Sequence, residues 1–217
     1  MKGRLALLFA LLPAGSDPAQ MLVRLALRQA LVGCENVLDV GCGSSTILRQ
    51  MGTPNLTGID GYLPEIETAR RLKTHDHLVH GDVCNLLAHF QPKQFDACVA
   101  LDLIEHLQKP EGLQLLQNME TIARKKVLIF TPSGFLPQGH TDAGDLQSHW
   151  SGWEPDEMRA AGYEVIGLLG PKSMRGEYHA LKHRPRFAAG LISMLAHFIW
   201  TRWHPEKAAA ILCVKSL

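Results

Sequence analysis

The chain lacks any strong excess of charge. It has 22 Lys or Arg residues against 21 Asp or Glu residues, a formal net charge of +1. A near-neutral chain creates no overall field that draws it to the phosphates of a nucleic acid. We therefore expect no nucleic-acid partner. A hydrophobic content of 46% over 217 residues is enough for the core of a single globular domain.

Paired cysteines are also missing. The five cysteines are odd in number, and no two of them form a Cys-x-x-Cys pair. This pattern favours a reducing compartment, here the cytoplasm, and disfavours a structural zinc site. Cys98 and Cys213 stand in strand-like apolar runs, so we expect them to be buried as small apolar groups.

No apolar run is long enough for a comfortable membrane span. Residues 5–12 are apolar and follow Lys2 and Arg4, which imitates a secretory signal peptide. The alternative is a pair of N-terminal helices that cover a ligand site, the second over residues 21–31. We favour the helices because of the fold that the sequence after them predicts.

Short apolar runs alternate with helical patterns along the rest of the chain. The predicted strands are residues 37–40, 56–60, 78–83 (a strand together with its exit turn), 97–101, 125–130, 163–169 and 208–214. Alternation of this kind predicts an α/β fold with seven strands, mostly parallel, one of them antiparallel, and helices on both faces. We expect one domain over residues 1–217, with N-terminal helices in 1–35, the core in 36–170, and a C-terminal helix and last strand in 171–217.

The strongest local signal is a Gly-x-Gly turn after the first predicted strand, in Leu38-Asp39-Val40-Gly41-Cys42-Gly43. Glycines there allow positive φ and let a ligand approach the main chain. Asp39 is unusual because strands of a parallel sheet are normally apolar, and an unpaired buried carboxylate costs several kcal/mol. Either Asp39 caps the backbone amides that follow, or it meets a cationic ammonium group of a ligand.

Acids close the next two predicted strands as well. Asp60 ends the second strand 17 residues after Gly43, a distance at which an acid accepts hydrogen bonds from ribose hydroxyls. Asp82 and Val83 end the third, although Gly81-Asp82 alone is also typical of a simple turn. The fourth strand runs into Asp102-Leu103-Ile104-Glu105-His106, at the edge where open α/β sheets bind ligands.

Two of these segments resemble motifs of the class I S-adenosylmethionine-dependent methyltransferases. Leu38-Asp39-Val40-Gly41-Cys42-Gly43 resembles the first motif, with Ser45 where the family often has another Gly, and Asp102-x-x-Glu105-His106 resembles the fourth-strand motif. The resemblance covers about residues 36–170 and implies a Rossmann-like fold with S-adenosylmethionine as cofactor. It implies cofactor contacts from Asp39, Gly41, Cys42, Gly43, Asp60, Gly61, Asp82, Val83, Leu101 and Asp102.

The expected reaction is transfer of the methyl group of S-adenosylmethionine to an unidentified small-molecule acceptor. If the acceptor is a hydroxyl or an acid, His106, His140 or His149 can act as the base. The long loop over residues 131–153 is the expected acceptor region, and its 138–153 part resembles a group of small bacterial methyltransferases. Its His and Asp spacings match no strong metal-ligand pattern, so we assign no metal.

Two other functions remain open. An NAD(P)-dependent oxidoreductase would use the same fold, but Asp39 and Thr46, which stands where a third glycine is expected, count against it. A non-catalytic S-adenosylmethionine-binding protein is the second alternative. The chain is expected to be a monomer or a homodimer.

The segment over residues 172–207 is basic, and residues 187–200 within it are nearly all apolar. Basic flanks with Trp200 and Trp203 suit a helix at a membrane surface. We favour instead a helix that packs on the sheet or on a second subunit.

Overall fold

The computed structural model describes residues 17–137, 148–176 and 179–217. Its first helix, α1 (Pro18–Ala30), begins after Asp17, whose side chain accepts the Ala19 N–H at 2.9 Å. A short acceptor before the first turn and a proline inside it are typical of a helix start. The predicted helix over residues 21–31 is thus confirmed, whereas the apolar run at 5–12 lies outside the described residues.

Seven strands form one sheet in the described chain, in the order β3-β2-β1-β4-β5-β7-β6. Their bounds are β1 (Val37–Val40), β2 (Leu56–Asp60), β3 (His77–His80), β4 (Phe95–Leu101), β5 (Ala123–Pro132), β6 (Glu164–Pro171) and β7 (Ala208–Ser216). Strand β7 runs antiparallel to both neighbours, and the other pairs are parallel. The predicted Rossmann-like architecture, with helices on both faces, is confirmed.

The helices after α1 are α2 (Ile47–Gln50), α3 (Leu63–Leu72), α4 (Lys109–Ile122), α5 (Pro155–Ala160) and α6 (Arg186–Ala196), which continues as a π-helical turn, His197–Thr201. Helix α2, expected near Ser45, is only one turn long. Strand β5 extends through Pro132, so its last two residues belong to the sheet rather than to the predicted loop. Strand β3 ends at His80, and Asp82 and Val83 follow it at its exit turn, as the sequence predicted.

The core lies on both faces of the sheet. Successive side chains of a strand point to opposite faces, so Leu38 and Val40 pack in the cluster under α4 while Val37 packs in the cluster under α1 and α6. Cys98 and Cys213 are fully buried in the first cluster, as predicted. The alternation also directs Asp39 toward the face that α1 covers.

Arg175 joins the two ends of the described chain. Its guanidinium contacts Asp17 before α1 at 2.6 Å, the Leu169 carbonyl in β6 at 2.6 Å and the Ser193 hydroxyl in α6 at 3.2 Å. A buried guanidinium carries a positive charge and several N–H donors, so it needs several acceptors to offset the free energy of removing it from water. Helix α6 is therefore fixed on α1 and β6, as the sequence analysis favoured.

Candidate active site

A cavity of about 950 Å³ opens beyond the carboxyl ends of β1, β2 and β4. Parallel strands place their ends at one edge, so residues far apart in sequence meet there. The predicted site residues that line this cavity are Gly41, Cys42, Gly43, Asp60, Gly61, Asp82, Val83, Asp102, His106 and His149. Asp39 and Leu101 line a smaller neighbouring cavity beside α1. His140 lies outside the described residues.

The glycine turn is fixed on the acid that ends β2. Gly41 and Gly43 have φ values of +68° and +47°, a region that L-residues with side chains rarely adopt. The Gly43 N–H donates to Oδ2 of Asp60 at 2.8 Å, and the Tyr62 N–H donates to Oδ1 at 2.7 Å. Asp60 therefore fixes the position of the glycine turn relative to the start of α3 at the cavity wall.

Asp39 is 3% exposed and is paired below the turn. Nε2–H of the buried His75 donates to its Oδ2 at 3.1 Å, and Nδ1 of His75 lies 2.8 Å from the Thr74 hydroxyl oxygen. Burial raises the pKa of Asp39, and the bond from His75 opposes that shift. His75, which the sequence analysis did not name, thus supplies the hydrogen bond that the Asp39 carboxylate needs inside the strand.

Asp82 opens a short 3₁₀ turn, Val83–Ala88. Its Oδ1 accepts the Cys84 N–H at 2.9 Å, which is the turn role considered from sequence. Asp82 and Val83 nevertheless line the cavity, so the turn role and a ligand role are compatible.

Carboxylates dominate the charged lining of the cavity. Six carboxyl groups are present, from Asp60, Glu65, Asp82, Asp102, Glu111 and the more deeply buried Glu105. No lining residue in the described chain is Lys or Arg. Such a surface attracts a cationic ligand and disfavours the pyrophosphate of a dinucleotide, which would require donors of opposite charge.

Glu105, His106 and His149 converge at this cavity. One ligand atom from each side chain lies within 4.8 Å of the others. Nδ1–H of His106 donates to the Ser148 carbonyl at 3.1 Å, and Nδ1–H of His149 donates to the Leu136 carbonyl at 2.6 Å. Because carbonyls accept only, a neutral ring in either position carries its lone pair on Nε2.

The two ionisable groups at the Ile104–His106 turn are both held toward their neutral forms. Burial raises the pKa of Glu105 well above its ordinary value, with Asp102 adding to the effect, although the Thr131 hydroxyl donates to Oε2 at 2.9 Å. Burial also lowers the pKa of His106. A neutral imidazole near neutral pH is suited to accept a proton or to bind a cation.

A family model described as a methyltransferase domain matches residues 38–131, which contain the glycine turn, Asp60, Asp82 and the Asp102–His106 segment. This match supports the class I S-adenosylmethionine-dependent methyltransferase family that the motifs predict. The NAD(P)-dependent oxidoreductase alternative is therefore set aside, and S-adenosylmethionine is the cofactor.

Comparisons place this methyltransferase among known proteins. A small RNA 2′-O-methyltransferase from Tetrahymena thermophila is 26% identical over 180 residues, which are 67% of this chain and 43% of the relative, so the match spans less than half of that protein. A SAM-dependent methyltransferase from Archaeoglobus fulgidus has a TM-score of 0.58 at 15% identity, covering 91% of this chain and 94% of that one. The methyltransferase domain of the bacterial protein CtHen1-C has a TM-score of 0.56 at 16% identity, covering 92% and 98%. The two solved structures support the fold.

Several residues of the methyltransferase site were not assigned from sequence. Glu105 was quoted only as part of a motif, and Glu65 and His75 were not considered. His179 was missed as well: it lies 3.0 Å from Oδ1 of Asp102 and lines both cavities. Nothing near His179 in the sequence marks it, because its contact with Asp102 depends on how the chain after β6 returns to the sheet edge.

Proposed function

We propose that the protein transfers the methyl group of S-adenosylmethionine to a hydroxyl oxygen of a small neutral or cationic acceptor. One observation carries this proposal: a single cavity joins the glycine turn and its acids to the converging side chains of Glu105, His106 and His149. The first set suits the cofactor, and the second can deprotonate a hydroxyl. An acidic lining favours an acceptor without negative charge.

The residues proposed to hold the cofactor follow the edge of the sheet. From the smaller cavity beside α1, Asp39 takes the amino-acid end. In the larger cavity Asp60 with Gly61 takes the ribose, and Asp82 with the Val83 amide takes the adenine. Leu101 and Asp102 border the cofactor from β4, and Gly41, Cys42 and Gly43 form the turn against it. The acid-rich lining supports this assignment, since S-adenosylmethionine carries positive charge at both its sulfur and its ammonium group.

The chain's own task in the reaction is to align the acceptor and remove its proton. The bound cofactor supplies a methyl group already activated by the positively charged sulfur. As the C–O bond forms and the C–S bond breaks, the hydroxyl proton passes to Nε2 of His106 or His149. Methylated acceptor, S-adenosylhomocysteine and a protonated imidazole result, and the proton is then released to water.

The same three side chains could hold a divalent cation, although the sequence analysis assigned no metal. A carboxylate and two imidazole nitrogens are ordinary ligands for such ions, and both rings already donate Nδ1–H to backbone carbonyls, as metal-bound histidines do. In that case the cation, rather than a histidine, would lower the pKa of the acceptor hydroxyl.

Methylation of an RNA 2′-hydroxyl is the second candidate function. It is favoured by the relative from Tetrahymena thermophila, named as a small RNA 2′-O-methyltransferase, and by the hydroxyl-activating cluster. The acidic lining counts against it, since RNA phosphates would face carboxylates and no Lys or Arg from the described residues.

The acceptor classes are separated by transfer of a labelled methyl group from S-adenosylmethionine. The small-molecule probes are catechol, tyramine and ethanolamine; the RNA probe is a short single strand, and a DNA strand of the same sequence, which lacks every 2′-hydroxyl, is its control. We expect label on a small hydroxyl compound. Label on the RNA but not on the DNA strand would support the second candidate instead.

The cluster is tested in the same assay with His149→Ala and, as a matched control, His77→Ala at an exposed position on β3. We expect His149→Ala to lower the methyl-transfer rate by about a hundredfold, the usual contribution of a general base, and His77→Ala to have no effect. Activity that disappears with EDTA and returns with Mg²⁺ or Mn²⁺ would assign the cluster to a cation. Calorimetric titration with S-adenosylhomocysteine and with NAD checks the cofactor separately.

A further inference from the structure

One face of α6 and its π-helical turn is apolar and lies open to solvent. The α6 face consists of Phe187, Ile192, Leu195, Phe198, Ile199 and Trp203. Ile199 is 79% exposed and Trp203 is 70% exposed, whereas single exposed apolar residues of this size are scattered on ordinary surfaces. A contiguous patch of large apolar side chains marks a surface with a partner.

The opposite side of the same helix already contains its core contacts. Ala189, Gly190, Ser193 and Met194 are buried, and a Cβ at Gly190 would lie 2.5 Å from Cδ of Pro18 in α1. On this buried side of the helix, the Arg175 guanidinium donates to the Ser193 hydroxyl at 3.2 Å. The orientation of the helix is thus fixed by close packing, and the α6 face cannot turn inward without breaking these contacts.

Most charged residues along the chain around the α6 face are cations. From position 179 to 205 the chain carries Lys182, Arg184, Arg186 and Arg202 and has no Asp or Glu. Glu206, just beyond, is 3.4 Å from His204. The cations stand at the two ends of the apolar face, and Arg202 lies 5.4 Å from the Trp203 ring. This surface is complementary to a flat, apolar partner with negative charge at its boundary.

We propose that the α6 face docks the protein on the surface of an anionic lipid bilayer. Its apolar side chains enter the headgroup region while the arginines and the lysine contact lipid phosphates. Among the described residues no helix is long and apolar enough to cross a bilayer, so the contact is along the surface. The sequence analysis favoured packing over a membrane; the structure shows that packing occupies only one side of the helix.

Two other occupants fit the α6 face less well. A second copy of the chain would bring the same four cations together with no acid between positions 179 and 205 on either side, which disfavours self-association. RNA would match the cations, but bases stack on aromatic rings and gain little from Ile192, Leu195 and Ile199. The aliphatic content of the face therefore favours lipid.

The test is co-sedimentation of the full chain with vesicles of phosphatidylcholine alone and of phosphatidylcholine mixed with phosphatidylglycerol. We expect binding only to the mixed vesicles, and weaker binding at high salt, because the cations contribute through screened attraction. The double variant Ile199→Asp/Trp203→Ala should bind at least about tenfold more weakly. Arg184→Glu/Arg186→Glu should weaken binding similarly.

Leu72→Asp, at an exposed apolar position on α3, is the matched control and should bind vesicles like the unaltered chain. Melting temperature and S-adenosylhomocysteine affinity should be the same in all variants, which keeps this test separate from that of the methyl-transfer activity. The proposal is overturned by absence of pelleting, by pelleting that survives Ile199→Asp/Trp203→Ala, by a dimer in sedimentation velocity that this variant abolishes, or by binding to RNA but not to vesicles.

Discussion

Oδ2 of Asp39 lies 3.1 Å from Nε2 of His75, and both side chains are almost completely buried. Asp39 is in β1, two residues before the glycine turn, and His75 lies two residues before β3. The pair is therefore close to the turn. A Cβ at Gly58, in the strand between them, would lie 2.7 Å from Sγ of Cys42 and 2.9 Å from Cδ2 of His75. The turn, the acid and the histidine therefore form one tightly packed unit.

Replacing His75 should weaken both the fold and the cofactor site. In His75→Leu the Asp39 carboxylate loses its donor, which costs about 1–3 kcal/mol or more for a charged group. We expect a lower free energy of unfolding in urea and weaker binding of S-adenosylhomocysteine. His75→Gln keeps a donor and should recover part of both. His77→Leu, an exposed neighbour, is the control; equal losses in both leucine variants would disprove the role of the pair.

Asp60→Ala should weaken cofactor binding more than it weakens the fold. It leaves the Gly43 and Tyr62 N–H groups without their acceptor at the cavity wall. Net hydrogen bonds to charged groups contribute about 1.5–3 kcal/mol, so affinity for S-adenosylhomocysteine should fall roughly tenfold to a hundredfold by calorimetry. Asp156→Ala, with an almost fully exposed side chain on α5, is the control. Unchanged affinity in Asp60→Ala would show that Asp60 does not contribute to cofactor binding.

Gly112→Ala in α4 should destabilise the protein, although Ala is the better helix former by about 1 kcal/mol. A Cβ at position 112 would overlap the buried ring of Trp153, whose Nε1–H donates to the Ile104 carbonyl at 3.3 Å. Overpacking of this kind costs about 1–3 kcal/mol. Since Ile104 opens the turn that carries His106, methyl-transfer activity should fall as well.

The control for that variant is Gln117→Ala, which is exposed on the same helix. It should be neutral or slightly stabilising in urea denaturation and leave activity unchanged. A stabilised Gly112→Ala protein would show that Trp153 moves aside freely.

Asp96 should make stability depend on acid pH. Backbone N–H donors from Glu35 and Asn36, together with Lys125, lower its pKa from 3.8 to about 2. A depressed pKa means that the unfolded chain binds the proton first, so the contribution is complete above about pH 4 and is lost as pH falls toward 2. Asp96→Asn should therefore lower the free energy of unfolding at neutral pH and differ little from the unaltered protein at about pH 2.

Urea denaturation across that pH range measures the effect, with Asp156→Asn as the exposed control. A constant difference between Asp96→Asn and the unaltered chain from neutral pH to pH 2 would contradict the linkage.

Much of the cofactor site follows from local sequence. The glycine turn after β1 and the acid that ends β2 are each visible as short patterns, and the ends of adjacent parallel strands must meet. Their contact, Gly43 N–H to Asp60, is therefore a consequence of two local signals and one topological rule. The alternation of strands and helices predicted one antiparallel strand without identifying it, and the structure shows that it is β7. The apolar runs around Cys98 and Cys213 correctly predicted that both are buried.

Other contacts depended on the tertiary structure, because no shared period or motif links the residues that make them. His149 reaches Glu105 and His106 only through the packing of the segment that follows residue 147, and His179 reaches Asp102 through the return of the chain after β6. For α6, nearly all residues are apolar, so the sequence does not specify which side faces the core. The small residues Gly190 and Ser193, against Pro18 and Arg175, decide it by allowing close approach, and they leave Ile199 and Trp203 in solvent.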